Sequence, residues 1–72
     1  DLAGANLTRA DFSNAYLRDT NFTGANLTGV ILTGANIKGA NFTGAKLDGA
    51  KLDDAKFCNT TMPDGSVNNS GC

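Results

Sequence analysis

The sequence predicts an all-β solenoid, a narrow stack of short coils rather than a globule, and three observations carry that reading. Large apolar residues recur every five positions without a break. They are also scarce: Leu, Ile, Val and Phe together make up 15 of 72 residues, close to the level at which disorder replaces a globular core. Gly, Asn or Asp fills nearly every position two residues after a large one, where a turning chain benefits from residues that tolerate positive φ.

Composition narrows the alternatives first. A globular chain of this length buries only about 60% of its unfolded surface, so some extra stabilising device is expected. Ala, Gly, Asn and Thr make up 36 of the 72 residues, and Glu, Gln, His and Trp are absent. That balance opposes a helical bundle, since Gly and Asn disfavour helix and the usual surface helix formers Glu and Gln are missing. Without His or Glu the commonest acid–base side chains are also missing; no enzyme and no cofactor are expected. Six basic and seven acidic residues give a net charge of −1, which offers no footprint for nucleic acid. No apolar run is long enough to insert into a membrane, and the first 30 residues lack the pattern of a secretory leader.

The large residues are Leu2, Leu7, Phe12, Leu17, Phe22, Leu27, Leu32, Ile37, Phe42, Leu47, Leu52 and Phe57, with Met62 continuing the series. Neither the strand period nor the helix period produces this spacing. Two positions before the large residues of the successive units stand small ones, from Ala5, Ala10 and Ala15 through Thr20, Val30 and Ala40 to Ala55 and Thr60. Each unit thus supplies one large and one small apolar side chain, too little for a local core, and units must stack to bury them. With a type II turn at each junction every unit turns a corner. If each corner is about 90°, four units close a coil of 20 residues, and residues 20 apart stack at the strand spacing of about 4.8 Å. The expected inward columns are Leu2/Phe22/Phe42/Met62, Leu7/Leu27/Leu47, Phe12/Leu32/Leu52 and Leu17/Ile37/Phe57.

These units resemble the pentapeptide repeat, whose consensus is Ala, Asp or Asn, Leu and two variable residues. The clearest copies are Ala5-Asn6-Leu7-Thr8-Arg9, Ala10-Asp11-Phe12-Ser13-Asn14, Ala25-Asn26-Leu27-Thr28-Gly29 and Ala40-Asn41-Phe42-Thr43-Gly44. The resemblance implies a right-handed quadrilateral β-helix, here of about three to four coils, with Leu or Phe central and Ala at the second inward position. Thr20 and Thr60 depart from the pattern, as does Val30-Ile31-Leu32. An outward Ile31 beside an enlarged inward Val30 is expected to mark a bulged or widened coil.

The repeat is expected to span residues 1–61, with 62–72 as a capping turn and tail. Pro63-Asp64-Gly65-Ser66 signals a turn, because Pro presets φ and Gly permits the reversal. The other end is in register from Asp1-Leu2. The expectation there is that the array begins inside a longer one or that this uncapped coil stacks end to end on another copy. Cys58 and Cys72 either join, closing a loop of 15 residues that pins the tail, or remain two unrelated thiols. Joined, the loop is worth about 3 kcal/mol in the chain-entropy model and places the protein in an oxidising compartment, thylakoid lumen or periplasm; unjoined, the cytoplasm is the alternative. The tail weakly resembles those of cyanobacterial and chloroplast thylakoid-lumen members of the family.

Four surface patterns bear on function. Asn-X-Ser/Thr sequons at Asn6, Asn21, Asn26, Asn41, Asn59 and Asn68 follow mostly from repeat chemistry. Columns Thr8/Thr28, Ser13/Thr33 and Thr23/Thr43 resemble the hydroxyl arrays of ice-binding solenoids but are only two rungs high. Lys46, Asp48, Lys51, Asp53, Asp54 and Lys56 form a dense group of mixed charge. The 20-residue register also brings Tyr16, Arg18, Asn36, Lys38 and Lys56 onto one face beside Cys58, where Arg18 and Lys38 stack as like charges. That face is the candidate interaction wall. The function expected is a non-catalytic structural or protein-interaction module whose partner is a protein. The alternative is a DNA mimic acting on DNA gyrase or topoisomerase, as some proteins it resembles are; the low charge and short rod weigh against it.

Overall fold

The computed structural model describes residues 1–72. Its backbone is organised by a 20-residue register. Parallel bridges join Asn6 to Asn26 and Asn26 to Lys46, Asp11 to Ile31 and Ile31 to Lys51, Tyr16 to Asn36 and Asn36 to Lys56, and Asn21 to Asn41 and Asn41 to Thr61. Four walls result, each crossing the stack as a short parallel ladder. The residue before each large one carries the bridge, and bonds run both ways: Leu27 N–H donates to Lys46 O at 2.8 Å and Asn26 N–H to Ala5 O at 2.9 Å. The chain is therefore a β-helix solenoid.

Between walls the chain turns because the residue after each corner donates back three positions, as Ala25 N–H does to Phe22 O at 2.9 Å. The third residue of such a turn sits at positive φ, the type II arrangement. Gly24 does so at 68°, and side-chain-bearing residues hold the same geometry at Arg9 (62°), Asn14 (59°), Asp19 (58°), Asp54 (58°) and Asn59 (51°).

The core is a thin column. Phe22, Leu27, Leu32, Ile37 and Phe42 are buried together with Ala25, Val30, Ala35, Ala40 and Ala45. Leu2, Leu7, Phe12, Leu17, Leu47, Leu52 and Phe57 pack against it but remain half-buried, since a coil at either end has a neighbour on one side only. Met62 is also half-buried.

At Val30-Ile31 the structure corrects the sequence. The ladder runs through without a bulge, with Ile31 bridged on both sides and its N–H donating to Ala10 O at 2.9 Å. Val30 is fully buried, and the residues one coil away in its column are Ala10 and Ala50, whose small side chains leave room for the added methyl groups. Thr60 is likewise buried. Its hydroxyl donates to Ile37 O at 2.8 Å and accepts from Cys58 N–H at 3.2 Å. That pairing makes its burial affordable, and no buried side-chain N or O atom lacks a partner.

The chain then folds back. Strand β1 (Thr60–Thr61) pairs antiparallel with β2 (Val67–Asn68), placing Thr60 opposite Asn68 and Thr61 opposite Val67. Met62 N–H donates to Ser66 O at 2.7 Å and Gly65 N–H to Met62 O at 2.9 Å. Beyond β2, Asn69 Oδ1 accepts from Asn59 N–H at 2.7 Å, Gly71 N–H donates to Phe57 O, and a disulfide joins Cys58 to Cys72. The whole molecule measures 28 × 22 × 20 Å.

Candidate interaction wall

The wall carrying Tyr16 is built by the bridges Tyr16–Asn36–Lys56, which align three outward side chains in one column. Two residues further along each coil lie Arg18, Lys38 and Cys58, a second column parallel to the first. Tyr16 is 79% exposed, far more than any other aromatic side chain. Arg18 and Lys56 are exposed, while Asn36 and Lys38 are half-buried. Asn36 Oδ1 accepts from Lys38 N–H at 3.2 Å, which steadies the centre of the wall.

Charge is unevenly shared between the walls. The Tyr16 wall holds Arg18, Lys38 and Lys56 against a single acid, Asp19. Asp19 stands at the corner, with its carboxylate over Gly39 one coil on. The neighbouring wall holds Asp11, Asp53 and Asp54 against Lys51. Lys46, Asp48, Lys51, Asp53, Asp54 and Lys56 are all exposed. The mixed-charge group is thus solvated and spread over three walls, and the register does not gather it into one site.

Elsewhere the outward polar residues are occupied locally. Asn21 Oδ1 accepts from both the backbone N–H and the hydroxyl of Thr23. The same pair of bonds recurs at Asn6 with Thr8, Asn26 with Thr28 and Asn41 with Thr43. These four threonine hydroxyls therefore donate back to their own walls, and the Thr8/Thr28 and Thr23/Thr43 columns do not present a lattice of outward donors. Sequence reasoning missed this arrangement, although the sequons themselves were its signal: an amide oxygen two residues before a hydroxyl makes a local turn. Asp11 and Asp64 play the same part. The Ser13 hydroxyl, donating at 2.6 Å, and then the Ser13 N–H hold the Asp11 carboxyl below the usual carboxylate range. The Ser66 hydroxyl and N–H do the same for Asp64.

The surface has no pocket, no group of His, Cys, Asp or Glu is placed to hold a metal ion, and no helix is long and apolar enough to cross a membrane. A comparison with curated proteins gave no match. Among solved structures the chain is similar to HetL, a pentapeptide repeat protein involved in heterocyst differentiation regulation from the cyanobacterium Nostoc sp. strain PCC 7120. The two are 32% identical with a TM-score of 0.50, over 92% of this chain and 40% of HetL. The chain thus spans less than half of that protein's length. Residues 1–34 and 32–62 match the family model for pentapeptide repeats, in eight copies, and with the five-residue units and the 20-residue ladder this shows that the chain belongs to the pentapeptide repeat family.

Proposed function

We propose that the chain is a non-catalytic structural and protein-interaction module, a rigid rod whose outward side chains are held in fixed columns for a partner to read. The observation that carries this reading is the Tyr16–Asn36–Lys56 ladder. It holds an exposed aromatic and three cations on a backbone that cannot rearrange without breaking bonds to the coils beside it. Tyr and Arg are enriched at the centres of protein contacts, and Tyr16, Arg18, Asn36, Lys38 and Lys56 form the interaction wall. HetL, involved in heterocyst differentiation regulation, supports a regulatory rather than a chemical role.

In its finer form the reading is a right-handed, square β-helix of about three to four coils over residues 1–61, capped by 62–72. The disulfide supports residence in an oxidising compartment such as a periplasm or thylakoid lumen. A gyrase-directed DNA mimic needs a strongly negative rod, which a net charge of −1 does not supply.

Photo-crosslinking tests the reading. A crosslinker replacing Asn36 is expected to capture a discrete partner in the source cell, whereas one replacing Thr33 on the adjoining wall is not. Identical capture from both walls, or none from either, overturns it.

A further inference from the structure

We infer that the Tyr16 wall is a docking surface for an acidic protein segment, an extended run of carboxylates with an apolar or aromatic side chain to lie on Tyr16. This rests on the interaction wall proposed above and names its partner's chemistry.

Four observations converge on it. The first is imbalance: Arg18, Lys38 and Lys56 share the wall with Asp19 alone, although the whole chain is slightly acidic. The second is that the cations have no intramolecular partners. The side chains of Arg18, Lys38 and Lys56 make no hydrogen bond within the chain, and the wall's one carboxylate is turned to the Gly39 corner. The third is spacing. Arg18 and Lys38 occupy the same column one coil apart, so the backbone positions that carry two like charges are held at about the strand separation of 4.8 Å. Such a pair is mutually destabilising across a ladder and is relieved by an anion lying across both. The fourth is Tyr16, 79% exposed, whose ring offers the wall an apolar anchor.

The size of the surface sets the kind of contact. A wall no larger than the molecule's own 28 × 22 Å outline stays below the roughly 800 Å² per partner of a standard stable interface. The contact is accordingly transient, formed quickly by charge attraction and weakened by salt. Nucleic acid fits less well, because three cations in two short columns make a small footprint for a polyphosphate backbone, and the adjoining wall opposes it with Asp11, Asp53 and Asp54.

The test uses a fluorescein-labelled oligo-glutamate peptide containing one tyrosine, followed by polarisation at low and at physiological salt, with amide shifts of the protein recorded by NMR. Expected are binding that weakens with salt, shifts centred on Tyr16, Arg18, Asn36 and Lys38, and an at least roughly tenfold loss of affinity in R18E/K38E/K56E. The neutral variant R18Q/K38Q/K56Q, checked for unchanged melting, is expected to lose affinity less steeply, while K51E on the adjoining wall retains it. Absence of peptide binding at low salt, or binding indifferent to both triple variants, overturns the inference. So does tighter binding of a DNA duplex or of phosphatidylserine vesicles at the same wall. A neutral peptide that shifts Tyr16 and Asn36 as strongly as the acidic one refutes the acidic partner while leaving the wall as a contact surface.

Discussion

The rings of Phe22 and Phe42 lie parallel, their planes 1° apart and their centroids separated by 4.9 Å. That separation is close to the spacing of hydrogen-bonded strands. The ladder on the wall sets the distance, and the rings fill the column at the pitch the backbone imposes. Both are buried, so neither can be shortened without leaving a void between coils. Phe42→Ala is expected to cost about 3–5 kcal/mol, and in a domain this small each kcal/mol lowers the melting temperature by about 4–8 °C. An unaltered melting temperature would refute the column.

Corners differ in what they tolerate. A Cβ added to Gly24, at φ 68°, meets nothing within 4 Å, whereas one added to Gly39, at φ 74°, overlaps the Asp19 carboxylate. Alanine at either position carries the left-handed penalty of about 1–2 kcal/mol. Gly39→Ala must also turn Asp19 from its rotamer, adding about 0.5–1.5 kcal/mol. Urea unfolding of both variants should show that gap, and Gly39→Ala made in an Asp19→Gly background should cost no more than Gly24→Ala. Equal losses in the two single variants would contradict the stacking of corners.

The disulfide constrains the β1–β2 hairpin and the tail after it, and leaves the middle coils to their own bonds. Reduction, or Cys58→Ser, is expected to lower stability by about 3 kcal/mol for a 15-residue loop. Hydrogen exchange should accelerate at the Gly71 and Met62 amides while the Leu32 amide, bonded to Lys51 O, stays slow. Unchanged exchange at Gly71 after reduction would mean that β1 and β2 hold the tail unaided.

Acid should loosen two turns in particular. The carboxyls of Asp11 and Asp64 are held below the usual range by hydrogen bonds from Ser13 and Ser66. A depressed folded value means the stabilisation is fully present above the unfolded value, near pH 4, and is lost as pH falls through the lower folded value. Asp11→Asn together with Asp64→Asn keeps the acceptor oxygen and removes the titration. The double variant is expected to melt with a flatter dependence on pH below about 4 than the parent, and parallel curves would exclude this origin.

Much of this architecture is written in the sequence because each position of the unit has one physical task. A large residue every five positions, a small one two before it and a φ-tolerant one two after determine column, packing and corner together. The shared column of Phe22 and Phe42 follows directly. What the period does not contain is how side chains of successive coils share the space between them. Ile31 suggested a bulge beside the enlarged Val30, but the same 20-residue register sets Val30 between Ala10 and Ala50, whose small side chains take up its added methyl groups. The Thr60 hydroxyl found Ile37 O across 23 positions, and the β1–β2 pairing lies outside the repeat altogether. For the wall, the register alone collects Tyr16, Asn36 and Lys56; the turning of Asp19 toward Gly39, which leaves the cations uncompensated, depends on side-chain direction.

The 20-residue ladder also governs the order in which the molecule assembles. Bonds between coils connect residues about one coil apart in the chain; none must await the meeting of distant ends. Closing the first loop of that length carries the entropic cost, and each later coil adds to an existing template. Folding should therefore nucleate where burial is deepest, around Phe22 to Phe42, and spread toward both ends. A fault in a central coil divides the growing structure, while a fault in a terminal coil merely shortens it.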